Sequence, residues 1–158
     1  MTAEALINED LIDLNIHANN QIEVIEQLAE LLEKQGRIES QTAFTQGVLM
    51  RENEVTTGFG NGIAIPHCKD HSVNHASIAI GKLTKGVDWR AMDDLDVSFV
   101  IMLAIPDSEA GTTHLQILSK LSEKLIDEDF RKQLMEADKQ QDILNLLVED
   151  VFKKNTNV

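Results

Sequence analysis

Hydrophobic residues recur at helical spacing in two segments of the first third of the chain. The first segment predicts a helix that begins after a cap at Asn20 and ends at Lys34, where Gly36 can stop it. The second predicts a helix from a cap at Ser40 to about Arg51. The apolar positions that would face a core are Ile25, Leu28, Ala29, Leu32, Phe44, Val48 and Leu49.

Three strands are predicted in the middle of the chain, over Gly62–Ile65, Ala76–Leu83 and Val97–Ile105. The third of these strands is apolar on both faces. Strands that are covered on both sides have this composition, whereas half-exposed strands alternate apolar and polar residues. We therefore expect Val97–Ile105 to be a central strand.

Three further helices are predicted after the strands. Their expected starts are a cap at Thr112 or Thr113, a cap at Asp127 or Asp129, and about Gln140, from where the last helix would run to Lys153. No linker rich in Pro, Ser or Gly and no internal repeat interrupts the pattern. Helices on either side of a run of strands predict one α/β domain over residues 1–158, with helices on both faces of a small sheet.

The composition fits this picture and narrows the cellular setting. With 42% hydrophobic and 26% charged residues, the chain has the balance of a globular protein. Its one cysteine, Cys68, allows no intrachain disulfide, which is typical of a reducing compartment. The N-terminus lacks the features of a signal peptide. The longest apolar run is far shorter than the roughly 20 residues of a membrane span. We expect a cytoplasmic protein that does not insert into a membrane.

The charge distribution argues against one class of partner and permits another. A formal net charge of −13 does not favour nucleic acid, whose phosphates bind surplus lysine and arginine. Residues 1–36 hold eight acidic residues and one lysine, while residues 56–92 hold four basic and two acidic residues. Such a depletion of carboxylates suits a site for an anion. A half-buried strand region would be poor in acidic residues for a different reason, so the charge alone leaves both explanations open.

Gly58, Gly60 and Gly62 alternate just before a predicted strand and Pro66-His67. Closely spaced glycines expose backbone N–H groups and permit the positive φ angles of anion-binding loops, but they are also typical of a tight turn. The spacing does not match the dinucleotide-binding fingerprint, and no Gly-Lys pair is followed by Ser or Thr as a Walker A loop requires.

His67 is the candidate nucleophile, because a neutral imidazole can accept a phosphoryl group without a separate base. The negative charge of the adduct needs donors. The candidates are Arg51, the hydroxyls of Thr56 and Thr57, and the N–H groups of the glycine run. A second imidazole, His114, is expected in the first turn of a helix, where it could donate to a phosphoryl oxygen or serve only as a structural residue of the helix end.

A zinc site is the main rival interpretation of these histidines. His67, His71 and His75 are spaced four residues apart and Cys68 adjoins the first, but a helix would be needed to align them. The segment follows a proline, leads into a strand and is poor in helix formers. No metal site is therefore predicted, and Cys68 is not favoured as a nucleophile because neighbouring side chains of an extended chain point apart.

Taken together, residues 51–67 resemble the EIIA domain of the phosphoenolpyruvate-dependent sugar phosphotransferase system, fructose/mannitol type. That family has the pattern Arg-Glu-x-x-x-Ser/Thr-Thr-Gly-x-Gly-x-Gly-x-Ala-x-Pro-His, and Arg51 to His67 meet every fixed position. The likeness continues through residues 80–83, 86–89 and 110–118 and covers nearly the whole chain. The departures are Thr56, where serine is common, and Cys68, where glycine usually follows the histidine.

The resemblance implies a three-layer α/β/α sandwich with a small mixed sheet. It implies a phosphotransferase component in which Nε2 of His67 accepts phosphate from phospho-HPr and passes it to a cysteine of EIIB. Arg51 and His114 would support the phosphoryl group, with Thr57 and the three glycines nearby, and neither a metal nor an organic cofactor would take part. EIIB and the membrane component EIIC would be separate chains.

Two functions share this chemistry within the resemblance. One is sugar uptake of the fructose branch, and the other is a nitrogen-type regulatory EIIA that is phosphorylated similarly but acts by binding other proteins. The stretches Gly86–Trp89 and Ala110–Leu115 look more like the fructose branch. We expect the transport function, without an assignment of the sugar, since an EIIA need not touch it.

Overall fold

The computed structural model describes residues 3–109 and 112–152 and places a sheet between two layers of helices. The six strands of the described part of the chain are β1 (Ile12–Ile16), β2 (Gly58–Gly60), β3 (Ile63–Ala64), β4 (His67–Asp70), β5 (Ser77–Val87) and β6 (Val97–Pro106). Neighbours follow the order β1-β5-β6-β3-β2, and β4 pairs with β6 beyond β3. The β1–β5, β3–β6 and β4–β6 pairs are parallel and the β5–β6 and β2–β3 pairs antiparallel, so the sheet is mixed, as expected.

The strand β6 lies at the centre of the sheet, which confirms the prediction from its apolar sequence. It pairs with β5 along one side and with β3 and then β4 along the other, and nearly all of its residues are buried. The strands β1, β2 and β4 were not predicted. They are short, contain polar or glycine residues, and depend on a pairing partner that is distant in the sequence.

The helices are α1 (Ala3–Leu6), α2 (Gln21–Lys34), α3 (Gln41–Glu54), α4 (Thr112–Leu125), α5 (Glu128–Glu136) and α6 (Gln140–Leu146). Short 3₁₀ turns span Glu9–Leu11 and Asp107–Glu109, and a π-helical turn over Leu147–Val151 extends α6. Among the described residues, no helix has the length and apolar character needed to cross a bilayer.

The helix starts agree with the predicted caps in three cases. The side chains of Asn20, Ser40 and Asp127 each accept a hydrogen bond from a backbone N–H in the first turn of the helix that follows. Helix α3 runs three residues beyond Arg51. Helix α4 begins at Thr112, so the two predicted capping threonines are its first two residues. Lys153, the predicted end of the last helix, lies outside the described residues.

Alternation along β5 separates the two helical layers. A Cβ at Gly81 would overlap Ile16 and Leu28, so this side of the strand faces α2. On the opposite side, Lys82 Nζ donates to the carbonyl of Ala137, 2.8 Å away, at the end of α5. Residues paired across a sheet point to the same face, so the two faces identified on β5, one toward α2 and one toward α5, can be followed onto β6 and β4. The expected three-layer arrangement, with helices on both faces, is confirmed.

Candidate functional site

His67 begins β4 and lies opposite Leu103 of β6. Leu103 in turn pairs with Ile78, which lies on the face of β5 that carries Lys82, so the His67 side chain points toward the layer of α4, α5 and α6. Only 6% of His67 is exposed. Burial in a rigid sheet fixes the position of the imidazole, as a nucleophile requires.

One hydrogen bond determines which nitrogen of His67 is free. Nδ1 lies 2.9 Å from the backbone carbonyl oxygen of Ile65. A carbonyl oxygen can only accept, so Nδ1 carries the hydrogen of the neutral ring. Nε2 therefore keeps its lone pair and is the ring nitrogen that could act as a nucleophile.

His114 meets His67 from the other side of the site. It is the third residue of α4, and the centroids of the two imidazole rings lie 4.8 Å apart at an interplanar angle of 56°. Nε2 of His114 is buried and has no hydrogen-bond partner among the described residues. An unpaired polar atom this close to the nucleophile is the arrangement expected of a group that binds a transferred phosphoryl oxygen.

Electrostatics keep both imidazoles neutral. Burial lowers the pKa of His67, and the positive charges of Arg51 and Lys69 lower it further, against the opposing effect of the bond to Ile65. Burial likewise lowers the pKa of His114 to about 4, with smaller contributions from His67, Lys69 and Arg51. At neutral pH the lone pair on Nε2 of His67 is therefore available.

Arg51 and Lys69 supply the positive charge of the site. In the last turn of α3, Arg51 Nη1 donates to the carbonyl oxygen of Val55 at 2.8 Å, which caps that helix and leaves other guanidinium N–H groups for an anion. Lys69 lies two residues after His67 on β4, hence on the same face of the strand. The structure thus brings Arg51, His67 and His114 close to one another.

The two threonine hydroxyls face other partners. The Thr57 hydroxyl contacts the carboxylate of Glu52, and the Thr56 hydroxyl donates to the carbonyl of Trp89 at 3.1 Å. A hydroxyl has one hydrogen to donate, and in both cases that hydrogen is engaged. Neither hydroxyl is presented as a donor toward His67 in this arrangement.

Gly60 and Gly62 form a turn at a distance from His67. Gly60 and Gly62 have φ angles of 109° and 82°, and with Asn61 at 58° they join β2 to β3. The Gly62 carbonyl accepts from the N–H of Ser98 on β6. His67 pairs with Leu103, which lies five residues further along the same strand, so the two positions are roughly 16 Å apart along β6. The structure therefore does not bring Gly60 and Gly62 to the imidazole, and it favours the turn that the sequence left open.

Gly58 serves a close approach between backbones. A Cβ at this position would lie 2.7 Å from both Cα and Cβ of Ala91. Its N–H donates to the hydroxyl oxygen of Thr56 at 3.1 Å, so that group too is already paired. The requirement for glycine at Gly58 is thus explained by packing, without a bound anion.

The remaining candidates of the zinc interpretation do not converge. The His71 side chain is 85% exposed in the turn after β4, whereas His67 is buried. Within the described part of the chain, no group of three His, Cys, Asp or Glu residues has the spacing to hold a metal ion. The Cys68 side chain faces Gly47 of α3, away from His67, and burial raises the pKa of its thiol to about 12.

Three features of the site were not assigned from the sequence. They are the positive charge of Lys69, the carbonyl acceptor of Ile65 and the carboxylate of Glu52, whose second oxygen accepts from the Thr57 N–H at 3.0 Å. The fixed place of Glu52 beside Arg51 in the sequence pattern was the one available signal. The other two depend on strand geometry.

Known proteins resemble this chain over most of its length. It is 40% identical over 127 residues to the PTS system fructose-specific EIIA component of Haloferax volcanii, covering 80% of this chain and 82% of that protein. It is 37% identical over 147 residues to the PTS system fructose-specific EIIABC component of Bacillus subtilis. That match covers 93% of this chain but only 23% of the Bacillus protein.

Solved structures share the fold at lower identity. The nitrogen regulatory protein IIA-Ntr of Neisseria meningitidis has a TM-score of 0.84 at 28% identity, over 92% of this chain and 97% of that one. Mannitol enzyme IIA of Escherichia coli, solved in complex with phosphorylated mannitol enzyme IIB, has a TM-score of 0.75 at 26% identity, over 89% and 96%. Residues 5–150 match the family described as "Phosphoenolpyruvate-dependent sugar phosphotransferase system, EIIA 2". With the arrangement of His67 and His114, this match shows that the chain belongs to the EIIA 2 family of the phosphoenolpyruvate-dependent sugar phosphotransferase system.

Proposed function

We propose that this protein is a phosphocarrier that accepts a phosphoryl group on Nε2 of His67 from phospho-HPr and passes it to a cysteine of a sugar-specific EIIB. The observation that carries the proposal is the bond from Nδ1 of His67 to the Ile65 carbonyl, 2.9 Å long, beside the unpaired Nε2 of His114. The first contact fixes the nucleophilic nitrogen, and the second leaves a polar atom free for the transferred group.

Each transfer exchanges one bond to phosphorus for another. The lone pair of His67 Nε2 attacks the phosphorus of the donor phosphohistidine, a new N–P bond forms, and the donor N–P bond breaks with its electron pair going to the donor imidazole. In the second transfer a cysteine thiolate of EIIB attacks phosphorus, an S–P bond forms, and His67 regains its lone pair. Nδ1 keeps its hydrogen throughout, so His67 returns to its starting state.

The surrounding charges match the group being carried. A phosphoryl group on nitrogen brings close to two negative charges, which Arg51 and Lys69 offset by Coulomb attraction. His114 adds a polar atom from the start of α4, where the helix dipole is also positive. Stabilisation by preorganised charge is a principal means of catalysing phosphoryl transfer, and these side chains supply it here.

The shape of the site favours protein partners. His67 is recessed, while apolar side chains next to the other site residues in the sequence are exposed: Met50 by 71%, Leu115 by 65% and Val55 by 58%. Exposed apolar residues around a polar centre are typical of a docking surface. The Bacillus relative is named as a fused EIIABC component and the mannitol relative was solved with EIIB, which supports EIIB as acceptor and a membrane EIIC beyond it. We place the protein in the cytoplasm, where phospho-HPr would meet it.

The fructose branch of sugar uptake is the favoured assignment. Both relatives compared above by sequence are named fructose-specific, at 37% and 40% identity. The nitrogen-type regulator is the second candidate, because the Neisseria protein reaches a TM-score of 0.84. Deleting the gene separates the two functions: loss of growth on one sugar supports transport, and unchanged growth on every sugar supports the regulator.

Reconstitution tests the phosphocarrier function directly. The protein is incubated with phosphoenolpyruvate, enzyme I and HPr, and acid-labile phosphate is measured on wild type and on His67→Ala. We expect label on the wild type and none on the variant, because the variant lacks the nucleophilic nitrogen. His114→Ala should still be labelled but should transfer more slowly to EIIB. Label that persists on His67→Ala would contradict the assignment.

A further inference from the structure

Glu52 lies in the last turn of α3 and holds the segment that leads into β2. One carboxylate oxygen accepts from the Thr57 N–H at 3.0 Å, and the other contacts the Thr57 hydroxyl. Both oxygens thus bind the same residue, one through its backbone and one through its side chain. This double contact fixes Thr57 relative to a helix that is packed against β4.

Thr57 is the first member of a series of contacts that ends at the nucleophile. Its carbonyl oxygen accepts from the Ile65 N–H at 3.0 Å, just beyond the β2–β3 pairing. The carbonyl oxygen of Ile65 then accepts from Nδ1 of His67 at 2.9 Å. Three hydrogen-bonded steps therefore connect the Glu52 carboxylate to the imidazole.

Building on phosphoryl transfer through Nε2 of His67, we propose that Glu52 is a positioning residue that sets the tautomer of this histidine. A neutral imidazole carries its hydrogen on either nitrogen, and the acceptor available to one of them decides between the two forms. When Thr57 is held, the Ile65 carbonyl is aimed at Nδ1. The hydrogen then resides on Nδ1, and Nε2 has a free lone pair.

Loss of the carboxylate would act through the same contacts. Without an acceptor for its N–H and hydroxyl, Thr57 can shift and the Ile65 carbonyl loses its fixed direction. The imidazole would then also populate the form with hydrogen on Nε2, which has no lone pair to attack phosphorus. Glu52 touches neither the ring nor the transferred group, so its effect is on the population of the reactive form of His67.

The neighbouring polar groups already have other hydrogen-bond partners and do not replace Glu52 as an acceptor for Thr57. The Thr56 hydroxyl donates to the Trp89 carbonyl and accepts from the Gly58 N–H. Arg51, the residue before Glu52, is a donor and binds the Val55 carbonyl. Among these groups, only the Glu52 carboxylate accepts hydrogen bonds from Thr57.

Nitrogen NMR of the His67 ring tests the inference in the full-length, unphosphorylated protein. Glu52→Ala and Glu52→Met remove both acceptor oxygens, the second while keeping the length and helix propensity of the side chain. Glu52→Gln keeps one acceptor oxygen, and Glu54→Ala removes an exposed carboxylate from the same helix end as a matched control. We expect the Nδ1–H form in wild type, Glu52→Gln and Glu54→Ala, and a mixture of tautomers in Glu52→Ala and Glu52→Met.

The rate of phosphoryl acceptance from phospho-HPr is the second measurement. Loss of one net hydrogen bond corresponds to about a five- to tenfold change in an equilibrium, here the ratio of the two tautomers. The acceptance rate follows the Nδ1–H fraction, so the alanine and methionine variants should accept up to about twofold more slowly. The glutamine variant should recover most of that rate. Circular dichroism and thermal unfolding show whether each variant is folded. If the alanine variant does not fold, the methionine variant provides the test.

The two measurements separate this inference from the proposed function. A pure Nδ1–H tautomer in folded Glu52→Met would overturn the role of Glu52, whatever the transfer rates are. A tautomer mixture in that variant, together with a wild-type protein that accepts no phosphate, would support the role of Glu52 and refute the phosphocarrier function. Equal slowing by Glu54→Ala would also count against a specific effect of Glu52.

Discussion

The contact between Gly47 and Cys68 leads to a prediction about stability. The effect of Gly47→Ala on the free energy of unfolding should change sign when Cys68 is replaced by alanine. Gly47 lies inside α3, and a Cβ added there would overlap the Sγ of Cys68 on β4. The same Cβ would lie 3.8 Å from the Cys68 Cβ, an ordinary van der Waals distance. The sulfur alone therefore requires the glycine.

The expected free energies follow from two opposing effects. Alanine is favoured over glycine inside a helix by about 1 kcal/mol. Forcing extra volume into a packed site costs about 1–3 kcal/mol. Gly47→Ala should thus lower the free energy of unfolding by up to about 2 kcal/mol in wild type. In a Cys68→Ala background the overlap is gone, and the same change should raise it by about 1 kcal/mol.

Urea unfolding followed by the fluorescence of Trp89, the single tryptophan and 1% exposed, measures all four proteins of this cycle. We expect a coupling energy of about 1–3 kcal/mol between the two sites. Equal effects of Gly47→Ala in both backgrounds, within about 0.5 kcal/mol, would refute the packing of Cys68 against Gly47. A change in the m-value would show that the substitution altered the compactness of the unfolded or native state, or broke two-state unfolding.

Two further predictions concern charge. Lys69→Gln should raise the pKa of His67 and should raise the pKa of His114 from about 4, because the positive charge of the lysine disfavours both imidazolium forms. NMR titration of the two rings measures these pKa values. Unchanged values would contradict the placement of Lys69 near the two histidines. Asp93→Ala should lower the Tm, because the Asp93 carboxylate accepts from the N–H groups of Asn61 and Leu95, and these hydrogen bonds lower its pKa below the usual range of an aspartate. A carboxyl group whose pKa is lowered by folding stabilises the folded state when the pH is above its unfolded-state pKa. This stabilisation is lost as the pH falls through its folded-state pKa, so the difference in Tm between wild type and Asp93→Ala should become smaller in acid.

Much of the framework could be predicted because it depends on neighbouring residues. The caps at Asn20, Ser40 and Asp127 bond to N–H groups two or three residues away, and helical spacing of apolar residues needs no information from elsewhere in the chain. The central position of β6 followed from a run that is apolar on both faces. His67 could be proposed as the nucleophile because it ends a long sequence pattern with fixed spacing.

The glycine turn and the short strands needed the tertiary structure. The same alternating glycines suit an anion loop or a turn, and only the bond from Ser98 to Gly62 shows that Gly60 and Gly62 lie away from His67. Likewise, β2 and β4 are too short to be recognised from composition. Each is defined by its pairing to β3 or β6.

For the site, the sequence by itself determined the chemistry available: an imidazole at His67, a second one at His114 and an arginine at Arg51. Only the tertiary structure decided the reactive nitrogen, through the carbonyl of Ile65, and the support of that carbonyl, through Glu52. The physical reason is that a hydrogen bond depends on the direction of two groups in space, and strand register sets those directions. Sequence spacing does not contain that information.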